Sequence, residues 1–255
     1  MLTLNIIKFN IIREGIHTKT IEKEGSLMHR SEMEKIITKS PTVFIIGAGL
    51  STASGIQDFA SLQANFDTSA LLSREAYYQH YWEQHDFMAK YLMNQTAQPN
   101  IGHQWIADLS HHQGIQVISQ NIDNLLEQAH INADHLLKIH GSIDHFIDRN
   151  GQPVSMSETD YQYLPHTEDN LMIRPDIVFY GENVKGMDQA LSWMQTAKNV
   201  VIIGTRLNVA PVNQLTLWAK NLEHIFVINQ EPVHPLQNNV PVTQITTDIS
   251  DWLQN

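Results

Sequence analysis

The sequence predicts an α/β fold: a Rossmann-like doubly wound parallel sheet with a smaller lobe formed by insertions. Three observations carry that prediction. The run at 43–46, Val-Phe-Ile-Ile, is continuously β-branched and aromatic, as in a strand buried on both faces of a parallel sheet. Similar runs recur at 115–119, 136–139, 175–180, 200–203, 225–228 and 244–246, separated by helical or polar stretches. Strands alternating with helices imply right-handed crossovers into one sheet. Finally, strand ends carry glycine or polar clusters: Gly47-Ala48-Gly49, Gln120-Asn121-Ile122-Asp123, His140-Gly141, Gly204-Thr205 and Asn229. In a parallel sheet these ends converge on one edge, where open α/β sheets bind ligands.

In chain order, residues 1–30 are expected to be an N-terminal extension outside the fold and disordered, with Met28 or Met33 as an alternative start. Residues 31–255 are expected to form one folded unit, with small-lobe insertions at about 60–98 and 143–173. Apolar Met33, Ile36 and Ile37 mark a short amphipathic helix over 31–38. After the first strand, Gly47 and Gly49 allow a tight turn and close approach of a phosphate to their N–H groups. Ser51, Thr52 and Ser54 add hydroxyls there. Thr52 occupies the third glycine position of the strict dinucleotide fingerprint, so this turn alone does not decide a ligand. Residues 57–73 show no sustained period and read as a long loop over the sheet edge.

Residues 74–95 carry Tyr77, Tyr81, Phe87, Met88, Tyr91 and Leu92 at helical spacing, a stripe assigned to packing. Asn100 is positioned to cap a helix over 101–110, and His103 in its first turn is assigned to helix packing. A helix at 124–129 follows the second strand directly. Residues 143–173 are rich in Asp, Asn, Gly, Pro, Ser and Thr and form an excursion from the sheet. Two isolated histidines there, His145 and His166, fall short of the four ligands of a zinc site, so no metal is expected. The alternation then resumes: the 175–180 strand ends in Gly181-Glu182, and helices are expected at 187–197, 212–220 and 249–253. No internal repeat is evident.

Composition narrows the function. The chain has 16 basic and 27 acidic residues, a net charge of −11, spread without long blocks. That is not a nucleic-acid footprint and suits basic peptide partners. No stretch spans a bilayer, so no membrane partner is expected. With no cysteine, thiolate catalysis, disulfides and cysteine-held zinc are excluded, and a reducing, cytoplasmic setting is expected.

These residues carry a resemblance to the sirtuins, NAD-dependent protein-lysine deacylases. The stretch 47–59 resembles the family's G-A-G-x-S-x-x-S-G-I-P-D-F, and Gln120 to Asp123 its Q-N-I-D. His140-Gly141 resembles the catalytic H-G, Arg174-Pro175 with Phe179-Tyr180-Gly181-Glu182 the R-P-x-V-V-x-F-G-E, and Gly204-Thr205 with Val209 and Pro211 the G-T-S-L-x-V-x-P. Ile228-Asn229 and the Pro99-Asn100…His103 helix start also match, all in the family's order.

The resemblance implies NAD across the sheet edge, against Gly47, Ala48, Gly49, Ser51 and Thr52. It implies a nicotinamide pocket of Ile56, Asp58, Ile122 and Asp123, with Phe59 also against the cofactor. Gln120, Asn121, Gly204, Thr205, Arg206 and Asn229 are implied around the riboses and phosphates, and Asp248 and Ile249 at the adenine. The catalytic set implied is His140, Asn121 and Asp123, with His140 as general base on a ribose hydroxyl after the acyl-lysine oxygen displaces nicotinamide. Phe179, Tyr180, Gly181, Glu182 and Asn183 are implied to bind an acylated lysine in a protein or peptide, with Gly181, Glu182 and Asn183 pairing with its backbone as an added strand.

The chain departs from the family pattern in four places. The four zinc-binding cysteines between H-G and R-P are missing, as in a bacterial member without them. Gln57, Ala60 and Arg206 replace a proline, an arginine and a serine at the cofactor site. The last changes leave open an NAD glycohydrolase, a protein ADP-ribosyltransferase or a non-catalytic NAD or ADP-ribose sensor on the same fold.

Overall fold

A computed structural model describes residues 28–57, 59–93, 96–236 and 240–254. Most of the expected N-terminal extension, and Asp58, lie outside these residues.

The chain enters through helix Arg30–Ile37 and passes into β1 (Thr42–Ile46), buried at all five positions. Helix Ile101–Ser110 then leads to β2 (Ile115–Ser119), and β3 (Leu136–Lys138) follows. A second, three-stranded sheet is made by β4 (Gly141–Ile147), β5 (Pro153–Val154) and β6 (Arg174–Ile177). The chain returns to the large sheet through helix Met187–Thr196 and β7 (Asn199–Ile203), then β8 (His224–Asn229) and β9 (Val242–Thr246). Helix Ile249–Gln254 closes the described chain.

The large sheet has the order β3-β2-β1-β7-β8-β9, and every pairing in it is parallel. Alternate strand residues feed two cores, as side chains alternate across a sheet. Phe44, Ile46, Val117, Val201 and Phe226 pack under the helices at 30–37, 101–110 and 249–254. Val43, Ile45, Ile118, Val200 and Ile202 pack under helix Met187–Thr196. The strand order reverses at β1, which lies between β2 and β7; this is the topological switch point of a doubly wound fold.

A third core holds the lobe. Leu72, Tyr77, Tyr81, Phe87 and Met88 from the first insertion meet Phe146, Tyr161 and Phe179 from the second part of the chain.

The structure corrects several sequence expectations. Strand β6 ends at Ile177 and pairs antiparallel with β4, outside the large sheet. Pro175 lacks a ladder donor, and β6 is an edge strand, where proline is tolerated. The stretch read as a loop at 57–73 contains helices Phe59–Gln63 and Thr68–Leu71, the second capped by the Asp67 carboxylate accepting the Ala70 N–H. The helical stripe at 74–95 is two helices, Arg74–Gln79 and Tyr81–Tyr91, broken at His80. Residues 212–218 form a 3-10 helix.

Candidate active site

Backbone contact between two strand ends builds the floor of the site. The Gly47 N–H donates to the Ile203 carbonyl and the Gly49 N–H to the Gly204 carbonyl, both at 2.9 Å. A Cβ on Gly49 would sit 2.8 Å from Gly204 Cα, and Gly204 itself has φ +62°. The glycines are therefore required by the packing of one turn on the other. Sequence reading gave these two N–H groups to a phosphate; in the structure they are donated within the protein. Gln120 bridges the same switch point, its Nε2 donating to Thr205 Oγ1 at 3.1 Å across the end of β1.

Around Ser51 lies a closed hydrogen-bond network. Asn100 caps helix Ile101–Ser110 through its side chain, and its own N–H donates to His103 Nδ1 at 3.2 Å. That bond makes Nδ1 the acceptor, so His103 Nε2 carries the proton and donates to Ser51 Oγ at 3.3 Å. Asn121 Nδ2 also donates to Ser51 Oγ, at 3.2 Å, and the Ser51 hydroxyl donates to Asp123 Oδ2 at 2.8 Å. A hydroxyl offers one proton and two lone pairs, and here all three are used. Ser51 and His103 are fully buried, and burial pushes the His103 imidazole down to about 4. His103, assigned to packing from sequence, is thus a polar support of the site; its place as the third helical residue of a capping box was the available signal.

Asp123 is held from its other side as well. Its Oδ1 accepts the Leu125 N–H at 3.1 Å, and its carbonyl accepts from Lys138 Nζ at 2.6 Å. Lys138 continues to Ser142 Oγ at 2.7 Å and pairs with Glu127, while Ser142 donates to Asp144. Sequence reasoning did not single out Lys138, Glu127 or Asp144; their spacing carries no motif.

His140 follows β3 and is half-buried. Its Nδ1 lies 2.9 Å from the Gln120 carbonyl. A carbonyl only accepts, so Nδ1 bears the proton and the Nε2 lone pair is left for chemistry. Burial holds the imidazole below its ordinary value, with the Gln120 carbonyl opposing. Gly141, at φ +78°, lets β4 start directly: a Cβ there would fall 1.9 Å from the Asp176 carbonyl.

Other expected residues are placed as follows. Ile56 is partly buried, and Phe59 and Ile122 both pack on the lobe core, the Ile122 carbonyl accepting the Ile143 N–H. Asn229 Nδ2 donates to the Glu231 carbonyl, and Arg206 forms an exposed ion pair with Glu231 at 3.1 Å. Asp248 accepts from the Ser250 N–H and Gln230, while the Ile249 side chain belongs to the first core. Phe179 is buried in the lobe core with Arg174 4.5 Å above its ring. The Glu182 carboxylate forks with Arg174 and accepts the Phe179 N–H, fixing the turn. Tyr180 pairs with Leu72 and Arg74 through its N–H and carbonyl. A cleft of about 370 Å³ lies beside this turn, lined by Arg74, Tyr78, Arg174, Gly181, Glu182 and Asn183.

Comparison with known proteins places the chain in a family. The Sir2 family profile matches residues 47–211. The NAD-dependent protein deacetylase of Listeria monocytogenes is 32% identical, over 75% of this chain and 85% of its own length. That of Lactiplantibacillus plantarum is 32% identical over 83% and 91%. Among solved structures, a Sir2 with p53 peptide and NAD+ matches with TM-score 0.76 at 25% identity, over 89% of this chain and 96% of that one. Sir2Tm bound to a propionylated peptide matches with TM-score 0.74 at 26% identity, over the same shares. The family match runs from the turn after β1 past the turn after β7, and these relatives cover three quarters or more of the chain: the chain belongs to the Sir2 family, the sirtuins.

Proposed function

We propose that this sirtuin is an NAD-dependent protein-lysine deacylase, releasing nicotinamide, an O-acyl-ADP-ribose and free lysine. One observation carries the reading most. His140, with Nδ1–H committed to the Gln120 carbonyl, leaves the Nε2 lone pair as a base at the edge that also gathers Asn121 and Asp123. Relatives named NAD-dependent protein deacetylases, and a similar structure holding peptide with NAD+, support it.

The donor set fits NAD. Amide, carboxylate and hydroxyl groups meet at the switch point of a parallel sheet, where dinucleotides bind. When bound, NAD supplies an electrophilic sugar carbon with nicotinamide as its leaving group. Ala48 and Thr52 line the turn that receives the pyrophosphate, and Ser51, expected there from the resemblance, is instead buried with its hydroxyl fully committed and supports the turn from within. Asp123 takes the carboxamide, beside Ile56, Phe59 and Ile122. Asn121 and Thr205 hold ribose or phosphate oxygens, and Asn229 and Asp248 the adenosine end. Arg206, paired with Glu231 on the surface, takes the smallest part. His140 Nε2 accepts the proton of a ribose hydroxyl, a role suited to an imidazole that is neutral at working pH.

The acylated lysine enters beside the 179–183 turn. Phe179 packs the turn from below, and the backbone of Tyr180 and the Glu182 N–H are already bonded, so a substrate strand pairs through Gly181 and Asn183. We read residues 31–255 as the catalytic unit, with the lobe insertions at about 60–98 and 143–173; their shared apolar core supports this. Among the described residues no helix is long and apolar enough to cross a membrane. The absence of cysteine supports a cytoplasmic setting, which cell fractionation checks.

The function is tested by incubating the protein with NAD and a panel of acylated peptides, following nicotinamide, ADP-ribose and O-acyl-ADP-ribose. Peptide-dependent nicotinamide release matched by O-acyl-ADP-ribose supports deacylation. Free ADP-ribose formed without peptide would instead mark a glycohydrolase, and binding without turnover a sensor.

A further inference from the structure

A second polar cluster lies in the lobe, away from the sheet edge. His85, on helix Tyr81–Tyr91, is only 2% exposed and places Nε2 2.8 Å from the Tyr161 carbonyl. That nitrogen must donate, since a carbonyl only accepts, so in the neutral ring Nδ1 is a bare lone pair. Nδ1 faces Asp86 Oδ1 at 2.9 Å. The same oxygen lies 2.9 Å from Nε2 of His166, which is 80 residues further along the chain. A lone pair set against a carboxylate oxygen repels unless a positive charge stands between them.

The surroundings hold this arrangement in place. The His166 ring stacks on Trp82, with centroids 4.1 Å apart and planes 22° from parallel. The His85 and His166 rings are nearly perpendicular, at 89°. Their ligating nitrogens and the Asp86 carboxylate lie within 4.8 Å of one another. Two imidazoles and one carboxylate form a donor set suited to a divalent transition metal, and the bond from His85 to a backbone carbonyl is the usual outer support of a metal-bound histidine.

We propose that His85 Nδ1, the Asp86 carboxylate and His166 Nε2 bind one divalent transition-metal ion, zinc being the best matched. The ion ties the segment around Tyr161 and His166 to helix Tyr81–Tyr91, joining the two insertions that build the lobe. Ligands of a tetrahedral zinc stand about 3.3 Å apart, given zinc–nitrogen bonds of about 2.0–2.1 Å. The cluster therefore opens by a few tenths of an ångström. Asp86 and His166 are 60% and 47% exposed, so solvent reaches the cluster and supplies the remaining ligand. From sequence His166 is an isolated histidine with no metal expected, because it meets His85 and Asp86 only through the fold.

The test strips the full chain with chelator, then adds Zn2+, with Co2+ as a spectroscopic substitute. One ion per chain is expected, with visible d–d absorption for cobalt. At a hundredfold excess over Kd, Tm is expected to rise by about 5–10 °C. His166→Ala and Asp86→Asn alter exposed side chains and are expected to keep the metal-free Tm. Their zinc affinity is expected to fall more than about tenfold, and the metal-dependent rise with it. The chain has 14 histidines, so binding that survives both variants lies elsewhere and overturns the proposal. A wild-type Tm that responds to pH between about 5 and 7 but not to metal also overturns it, because protons then hold the cluster.

Discussion

The sheet edge and the lobe each set histidine against a carboxylate, and they solve the electrostatics differently. At the edge, Ser51 stands between His103 and Asp123 and uses its single proton and both lone pairs. Every group there points the right way without an added charge. In the lobe no hydroxyl intervenes, and one oxygen of Asp86 faces two imidazole nitrogens directly. The closed network positions Asp123 and Asn121 before any ligand arrives. The open cluster calls for a cation. Preorganised polar groups with no reorganisation to undergo are the usual means by which a site stabilises developing charge.

The largest effect expected of a change within the closed network is from Asp123→Ala. It removes the acceptor of the Ser51 hydroxyl and the proposed nicotinamide anchor. We expect kcat/KM for NAD to fall roughly 10²–10³-fold, about 3–4 kcal/mol, in steady-state kinetics. An unchanged value would mean that the network positions nothing of use to the reaction.

His103 sharpens the comparison through pH. Burial holds its imidazole at about 4, against the ordinary 6.5. Between those values the unfolded chain takes up a proton that the folded chain refuses. The contribution is therefore fully present above about pH 6.5 and is lost as pH falls toward 4, amounting to about 3 kcal/mol. Urea midpoints measured across that window in wild type and in His103→Asn test it: the variant curve is expected to be flatter.

Ser51→Ala follows in size. It leaves the His103 Nε2–H buried without its acceptor, for a loss of about 1–3 kcal/mol in unfolding free energy. A neutral result would show that the network closes without the hydroxyl. Smallest is Arg206→Ala, which removes an exposed ion pair with Glu231 worth under about 1 kcal/mol. Its Tm and its kcat/KM are both expected to stay near wild type; a large kinetic loss would place Arg206 on the cofactor.

How much of this was legible in the sequence depends on how local each signal is. Strands β1, β2, β7 and β8 and the helix after Asn100 could be read directly, because buried β-branched runs and a capping asparagine are contained in a few residues. The meeting of these strand ends at one sheet edge followed from the parallel alternation. Strand β6 was misplaced, because the alternation said nothing of a second sheet, and only Pro175 signalled an edge. The role of His103 was missed because helix spacing suggests packing and does not show that its Nε2 reaches Ser51, 52 residues away. Lys138 bonding the Asp123 carbonyl, and His166 meeting Asp86, are tertiary facts with no local pattern.

The central claim is that this sirtuin deacylates lysine with His140 as its base, and the most direct measurement is O-acyl-ADP-ribose yield under single turnover. NAD and an acetyl-lysine peptide are mixed with wild type and with His140→Ala, with thermal unfolding as a check on the fold. The wild type is expected to form the product only with peptide, in step with nicotinamide, and to lose rate as pH falls through a value below 6.5, where the imidazole gains its proton. A folded His140→Ala is expected to be slower by roughly 10²–10⁴-fold. Equal rates in the two proteins would contradict the account.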